Sequence, residues 1–291
     1  MNKEQKISLV IPYVDNNDEV WKKIYLDYCN KHKLPNKIVD MKSDRYECIG
    51  LINYQIKLIN KHMPWLDNIY LLLMNREQAP KDLPSNVKII YHGAFIPQKY
   101  LPTFNSTTIE MFLWNIKELG EYFIYANDDM LPFKDLKPSD FFTSDGKIKI
   151  EWWQEDIREL NNCFRCQCYN SFKHITIRLG KKTEPYKYLR PAHSFTPMIK
   201  SHCKVAYDLI SDLINKHIRA FRTEYQYNQY IYPIFEKYTL GTCDSNIDFL
   251  YTQLKDGIDL DHDIVCLNVI PNKYKQELIK ELDKRLWVIK S

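Results

Sequence analysis

The chain has 291 residues, of which 45% are hydrophobic and 27% are charged, an ordinary composition for a globular protein. Its formal net charge of +4 comes from basic residues dispersed among acidic ones, whereas a dedicated nucleic-acid binder concentrates basic residues on one face. No apolar run approaches the roughly 18 residues of a membrane span, and residues 1–6 lack the apolar stretch of a signal peptide. We therefore expect a cytoplasmic protein, whose ligands are anionic small molecules or an anionic membrane surface.

Short apolar runs and helical patterns alternate over the first 130 residues. Ile52, Ile56 and Ile59 recur at helical spacing, for example. The resulting β-α-β-β-α-β order predicts an α/β sheet with helices packed on it. The predicted strands are 7–14, 68–75, 87–93 and 122–128, and the predicted helices are 46–63 and 106–121.

The rest of the chain has a different pattern. Residues 135–190 are less periodic and are predicted to form an insertion or lid, whereas helical patterns dominate from about residue 200. The tail places Leu278, Leu282 and Leu286 on one helical face with lysines around them. This pattern fits a helix docked on the core, or alternatively a basic amphipathic helix touching an anionic membrane.

The cysteines are expected to be reduced thiols. Eight are present in a chain for which we predict no secretion signal. A run of Cys163, Cys166 and Cys168, with His174 six residues later, also fits part of a zinc site. Structural zinc sites usually have two paired knuckles, and the sequence has no second CxxC pair, so free thiols are the favoured interpretation.

The stretch FIYANDDM, residues 123–130, predicts a strand that ends in two carboxylates. Asp128 and Asp129 would then lie at the carboxyl end of a strand, where open α/β sheets bind ligands. Magnesium prefers one or two carboxylates together with water and phosphate oxygens. Adjacent strand residues point in opposite directions, so one of the two is expected to meet a metal directly. A turn with solvated aspartates is the alternative.

A second acidic loop follows the first predicted strand. Asp15 and Asp18 in YVDNNDEVW would lie at the same sheet edge as the paired carboxylates. Capping of a helix by Asp18 or Asn17 explains the same residues equally well.

Two further segments contain candidate catalytic residues. His193 lies between prolines in LRPAHSFTP, where a histidine can act as a general base or phosphate partner, or be incidental. Arg222 has the planar guanidinium that suits phosphate, and Glu224 is a candidate to orient it; a surface ion pair is the alternative.

Together these segments resemble the Stealth family of capsular and wall polysaccharide hexose-1-phosphate transferases, which includes the catalytic subunit of the lysosomal-enzyme N-acetylglucosamine-1-phosphotransferase. Its four characteristic blocks match in order over residues 7–270. They are IPYVDNNDEVW; a long block from DRYECIG through LPTFNS to FIYANDD; RPAHSFTP; and FRTEYQYNQYIYPIFEKYTLG, with a trailing CLN. This chain departs from the family at Cys48, where an aspartate is usual, and at Gln226 and Val269.

The resemblance implies functional positions. Asp129, His193 and Arg222 fall on catalytic positions, and the metal would bind Asp128 and Asp129. The implied substrate-binding residues are Asp15, Asp18, Arg45, Asn105, Glu110, Asn127, Arg190, Glu224 and Asn228.

The resemblance also implies a fold and an activity. The fold would be a glycosyltransferase-A-like mixed sheet flanked by helices. A single catalytic domain, 1–291, would comprise a nucleotide-sugar-binding core (1–134), a lid (135–190) and a mostly helical part completing the active site (191–291).

The expected reaction moves a hexose-1-phosphate from a nucleotide sugar, expected to be a UDP-sugar, to a hydroxyl of a polysaccharide or lipid-linked glycan, with Mg²⁺ or Mn²⁺. Two alternatives stay open: a metal-dependent glycosyltransferase that releases UDP, and an inactive carbohydrate-binding protein. The expected location is the cytoplasm, with peripheral contact at the inner face of the membrane.

Overall fold

The computed structural model describes residues 5–34 and 50–287; the candidate Arg45 lies outside them. The strands are β1 (Ile7–Pro12), β2 (Ile69–Leu73), β3 (Val87–Tyr91), β4 (Tyr122–Tyr125), β5 (Met130–Pro132), β6 (Trp152–Asp156), β7 (Lys187–Pro191), β8 (Thr196–Ile199), β9 (Phe249–Thr252) and β10 (Ile264–Leu267). The helices are α1 (Glu19–Lys31), α2 (Leu51–His62), α3 (Ser106–Glu110), α4 (Pro138–Phe141), α5 (Cys163–Arg178), α6 (Lys200–Leu209), α7 (Ser211–His217), α8 (Ile231–Thr239) and α9 (Asn272–Trp287).

A five-stranded sheet in the order β3-β2-β1-β4-β8 forms the centre of the fold. The first four strands of the chain run parallel, and β8 pairs antiparallel with β4. The predicted mixed α/β sheet flanked by helices is therefore confirmed, with its four strands close to their expected positions.

The inner strands of this sheet are buried on both faces, which explains their continuous apolar runs in the sequence. Alternate residues of a strand point to opposite faces. Val10 and Phe123 therefore join one hydrophobic cluster with residues of α5, α6 and α8. Leu9 and Ile124 join a second cluster with the isoleucines of α2. Because helices and loops cover both faces, the strand ends are where the sheet is accessible to ligands.

The helix predicted over 106–121 is much shorter in the structure. Helix α3 ends at Glu110, a 3₁₀ turn covers Leu113–Asn115, and a loop leads to β4. Every residue of 107–113 is buried, so the segment lacks the solvated face of an amphipathic surface helix. Likewise, residues 219–230, expected to be partly helical, form a chain of turns before α8.

The later parts of the chain pack against the central sheet and share its hydrophobic clusters. Residues 141–175 of the segment predicted as a lid contribute Phe141 and Phe172 to the two main clusters. The C-terminal third contains strands as well as helices, because β10 pairs with β5 and β9 in a smaller sheet. Helix α9 buries Leu278 and Leu282, so the predicted docking of the tail helix on the core is confirmed. Over the described ranges, no helix is long and apolar enough to cross a membrane.

Candidate active site

A cavity of about 1110 Å³ opens at the carboxyl edge of the central sheet. Val14 and Asn16 reach it from the loop after β1, and Asn127, Asp128 and Asp129 reach it from the turn after β4. This is the edge at which open α/β sheets bind ligands. The other walls are formed by residues within 106–110, 162–167, 190–193, 222–229 and 267–272, together with Leu51, Trp153 and Tyr251.

The Asn-Asp-Asp segment is a tight turn between β4 and β5, held from two sides. The buried amide of Gln55 on α2 donates hydrogen bonds to the carbonyl oxygens of Asn127 (2.7 Å) and Met130 (2.6 Å). The backbone N–H of Leu267 donates to the carbonyl oxygen of Asp129 (2.8 Å). Residues distant in the chain therefore hold the turn in place, and the side chains of the turn line the cavity.

Asp129 lies at the centre of a compact group of possible ligand atoms. One atom from each of Asp129, His193 and Cys266 lies within 4.8 Å of the others. Within the part of the chain that the structure describes, Asp129 Oδ1 is buried and has no hydrogen-bond partner. Desolvation raises the pKa of Asp129, and a hydrogen bond with Cys266 opposes the increase. An unpartnered carboxylate oxygen is costly to bury, which indicates a binding role.

Asp128 also lines the cavity, but it is not part of this three-residue group. Desolvation of its carboxyl group, and then the charge of Asp129, raise its pKa to about 7. The carboxylates of Asp128 and Asp129 thus repel each other in a desolvated environment. A cation bound next to them would reduce that repulsion.

The hydrogen bonds of His193 define its tautomer. The Asn127 carboxamide oxygen accepts from the Tyr125 hydroxyl (2.8 Å), so its NH₂ group faces His193 Nε2 at 3.2 Å and donates to it. His193 Nδ1 lies 3.2 Å from the Tyr230 hydroxyl and must therefore carry the proton. Desolvation, then the positive charges of Arg190 and Arg222, lower the pKa of His193 to about 4. The imidazole is consequently neutral near pH 7.

Arg222 and Glu110 form another charged part of the cavity. The Arg222 guanidinium donates to Ser106 Oγ at the start of α3. Glu110 is buried, lies 3.1 Å from the Tyr125 hydroxyl oxygen and accepts from the Gln229 backbone N–H (3.0 Å). Burial raises the pKa of Glu110, while the Arg222 charge opposes that increase. Arg222 is therefore oriented by its neighbours and still lines the cavity.

Asn105 positions this charged part and is not in the cavity lining. Its side-chain oxygen caps α3 by accepting from the Thr107 backbone N–H (3.1 Å). Its NH₂ group donates to the Arg219 carbonyl (3.2 Å) and to Gln226 Oε1 (3.0 Å). The buried Asn105 thus joins α3 to the loop that contains Arg222.

Replacing Asn105 with alanine should lower the free energy of unfolding by about 2–4 kcal/mol, since a cap is lost and buried polar partners are left unpaired. Chemical denaturation would measure the change. An exposed asparagine on α1, Asn30, provides the control, and its alanine variant should differ from wild type by no more than about 0.5 kcal/mol. Equal stability of the two variants would contradict the positioning role.

The first acidic loop is organised by local hydrogen bonds. Asp18 caps α1 by accepting from the backbone N–H groups of Val20 (3.0 Å) and Trp21 (3.1 Å), as the capping interpretation predicts. Asp15 accepts from Asn17, whose backbone N–H lies 2.8 Å away. Neither aspartate is in the cavity lining, although Asn16 between them is.

Of the remaining candidates, Arg190 and Asn228 line the cavity and Glu224 does not. Arg190 is buried and pairs with Glu155. Asn228 is buried, accepts from Ser171 Oγ (3.1 Å) and donates to a cysteine sulfur. Glu224 is exposed, and its backbone carbonyl accepts from an asparagine side chain.

The cysteine run lies on α5, where Cys163 and Cys166 are partly exposed and Cys168 is buried. Among the described residues, Asp129, His193 and Cys266 form a three-ligand group, and the residues of the cysteine run form none. Free thiols, the favoured interpretation, are what the structure shows for the described cysteines.

Sequence reasoning missed four residues of the site. Cys266, which lies in the compact group with Asp129 and His193, is in the trailing CLN match, which indicated family resemblance but no role for the thiol. Trp153, Phe164 and Tyr251 come from three separate elements and line the cavity. Only their convergence in the fold distinguishes them from other aromatic residues of a tyrosine-rich chain.

The cavity at the carboxyl edge of the mixed sheet is lined by two carboxylates, a neutral histidine and an arginine. This fold and this site are typical of an α/β enzyme. Residues 45–150 match the family model "Stealth protein CR2, conserved region 2". The capsular polysaccharide phosphotransferase LcbA of Neisseria meningitidis is 28% identical over 289 residues, covering 96% of this chain and 74% of the relative. The exopolysaccharide phosphotransferase cps2G of Lactiplantibacillus plantarum is 35% identical over 191 residues, covering 63% and 52%. Over the matched region the chain is similar to Stealth proteins, and these relatives are named capsular and exopolysaccharide phosphotransferases.

A solved structure of a LgtC active-site mutant covers 97% of each chain, with 11% identity and a TM-score of 0.40. The chain spans about half the length of the Lactiplantibacillus relative.

Proposed function

We propose that this protein is a phosphotransferase that moves a hexose-1-phosphate from a nucleotide sugar, a UDP-sugar by expectation, to a hydroxyl of a glycan in capsule or wall polysaccharide synthesis. The names of its relatives, capsular and exopolysaccharide phosphotransferases, support the reaction class. The cytoplasm is the proposed compartment, and contact with the inner membrane face would allow lipid-linked acceptors.

The observation that carries the proposal is the convergence of Asp129, His193 and Arg222 on one cavity from three separate regions of the chain. Phosphoryl transfer needs positioning and neutralisation of charge more than covalent chemistry. The cavity has an arginine for phosphate oxygens, carboxylates for a cation, and a neutral imidazole. These are the groups that such a transfer needs.

The residues present fit a divalent cation. Asp129 has a buried, unpartnered oxygen within the described chain, and Mg²⁺ and Mn²⁺ favour carboxylate oxygen. Asp129, with Asp128 beside it, would hold the ion. Burial raises the pKa of the Cys266 thiol well above its usual value, so this thiol stays protonated and is a poor ligand. When bound, the cation would neutralise charge on the diphosphate.

In the proposed step, the acceptor hydroxyl oxygen attacks the phosphorus that carries the hexose. The bond from this phosphorus to the oxygen of the leaving UMP breaks. His193 Nε2, which now accepts from Asn127, takes the hydroxyl proton when the acceptor replaces that amide, and later releases it to water. A low-pKa imidazole is a weak base, so it accepts the proton late in the transition state. Arg222 stabilises the negative oxygens of the transferred group.

The nucleotide product tests the proposal. The purified protein would be incubated with a panel of UDP-sugars, Mg²⁺ or Mn²⁺, and methyl hexopyranosides as acceptor probes, and the nucleotides separated by chromatography. We expect UMP, together with a phosphodiester signal in the ³¹P NMR spectrum of the product.

Other products would contradict the proposal. Release of UDP with sugar attached directly to the probe would identify a glycosyltransferase. If no donor in the panel is consumed even with a polysaccharide extract as acceptor, the enzymatic proposal fails.

A further inference from the structure

The cavity is larger than one small ligand requires and has two chemically different sides. Its volume of about 1110 Å³ exceeds the range of roughly 300–1,000 Å³ for small-molecule sites. Ser106, Glu110 and Arg222 line the charged side. A second side, which we call the aromatic side, is formed by Trp153, Phe164 and Tyr251. Deepening the proposed function, on which it rests, we infer that the aromatic side binds a sugar ring of the glycan acceptor.

The aromatic side is preorganised by a buried ion pair. The Arg190 guanidinium lies 4.6 Å from the Trp153 ring centroid and 5.8 Å from that of Phe164. Glu155 fixes this guanidinium through Arg190 Nε (2.9 Å) and an Arg190 terminal nitrogen (2.6 Å). The Trp153 indole N–H also donates to Glu151 (2.7 Å). A ring held in this way binds a ligand with little further loss of conformational freedom.

Charge neutralisation explains why an uncharged ligand suits this side. Glu155 neutralises Arg190, and Arg165 pairs with Glu159 at 2.6 Å and with Glu155 at 3.7 Å. These guanidinium groups are therefore engaged with carboxylates, whereas Arg222 on the charged side interacts with a hydroxyl. A pyranose offers an apolar C–H face to an aromatic ring and hydroxyl groups at its edge, which matches aromatic rings next to polar groups.

His193 connects the two sides. Its ring lies edge-on to Phe164, with centroids 5.6 Å apart, and edge-on to Tyr251, with centroids 5.8 Å apart. Asp129 belongs to the same compact group as His193, and the polar contacts of Asn127 and Tyr125 lead from His193 Nε2 to Glu110 on the charged side. A sugar stacked on Tyr251 would thus place a hydroxyl next to His193 and close to the phosphoryl group. The aromatic side is consequently positioned for the acceptor and the charged side for the donor.

The inference can be tested without relying on turnover. Saturation-transfer NMR would detect binding of methyl hexopyranosides, and calorimetry would measure the affinity for UDP with Mn²⁺. We expect Tyr251→Ala and Trp153→Ala each to weaken glycoside binding at least about tenfold, and to change UDP affinity less than about twofold. Tyr251→Phe should keep glycoside binding, because the ring is retained.

Tyr91→Ala is the matched control, since Tyr91 is 40% exposed, Tyr251 is 42% exposed, and Tyr91 is outside the cavity lining. Trp153→Phe retains an aromatic ring if the alanine variant folds poorly. An equal loss of UDP affinity would assign the aromatic side to the nucleobase and overturn the inference. Glycoside binding that is undetectable in wild type, or unchanged in the variants, would also overturn it. The nucleotide product decides the proposed function separately, because it requires no aromatic variant.

Discussion

Asp129→Asn should reduce nucleotide release at least about 10³-fold while leaving the fold intact. The substitution keeps the shape of the side chain but removes the charge that would hold the cation. Since desolvation already raises the pKa of Asp129 and its Oδ1 is unpartnered within the described residues, the folded protein gains little from this charge. We therefore expect the free energy of unfolding to stay the same or rise by about 1 kcal/mol.

Steady-state kinetics and chemical denaturation, measured on the same preparations, would check both parts. Asp256→Asn is the control, because Asp256 is exposed and outside the cavity lining. Chelation of divalent ions should abolish wild-type activity, and Mg²⁺ or Mn²⁺ should restore it. Full activity of the Asp129 variant, or of the exhaustively chelated enzyme, would refute the assigned role of the turn after β4.

Arg222→Ala should lower kcat about 10³-fold, because an arginine that stabilises a transferred phosphoryl group contributes on this scale. Arg222→Lys should restore little of the loss, since an ammonium group does not reproduce the planar guanidinium held by Ser106. Ser106→Ala should have an intermediate effect of roughly threefold to tenfold, because only the orientation of the arginine is weakened. A loss confined to KM would indicate that Arg222 binds the donor equally in the ground state.

Arg158→Lys controls for the change of residue type. The Arg158 side chain is 78% exposed and pairs with Asp156 away from the cavity lining. This variant should keep wild-type kinetics within about twofold. A lysine at position 222 that supports full activity would show that charge alone is needed there.

The central sheet was predictable because its inner strands are buried on both faces. Ile7–Pro12 and Ile69–Leu73 are continuous apolar runs, and the isoleucines of α2 repeat at helical spacing, so local patterns are sufficient. Residues 106–121 were misassigned because 107–113 are all buried, which removes the periodicity that distinguishes a surface helix. Asp18 shows a different ambiguity, since one carboxylate serves equally well in a cap or in a ligand site.

The candidate site was predicted in part because of its resemblance to a known family. His193 and Arg222 are single residues in unremarkable loops, and neither has a local pattern that indicates catalysis. Their neighbours depend on the fold: Cys266 reaches Asp129 through the pairing of β10 with β5, and Trp153 meets Phe164 across Arg190. Contacts of this kind, between residues far apart in the chain, are set by tertiary packing and leave no periodic signal.

Gln55 also links the turn that contains Asp129 to the C-terminal helix α9, because Gln55 belongs to α2 and α2 packs against α9. Its helix, α2, packs in one cluster with Leu278 and Leu282 of α9, and Tyr54 donates to Asp283 at 2.9 Å. Helix α9 thus supports α2 from behind, while Gln55 holds the turn in front. Deleting α9, or fusing a bulky partner into it, would remove the support on which the position of Asp129 depends. Expression designs and truncation studies of this enzyme should accordingly treat α9 as part of the catalytic scaffold.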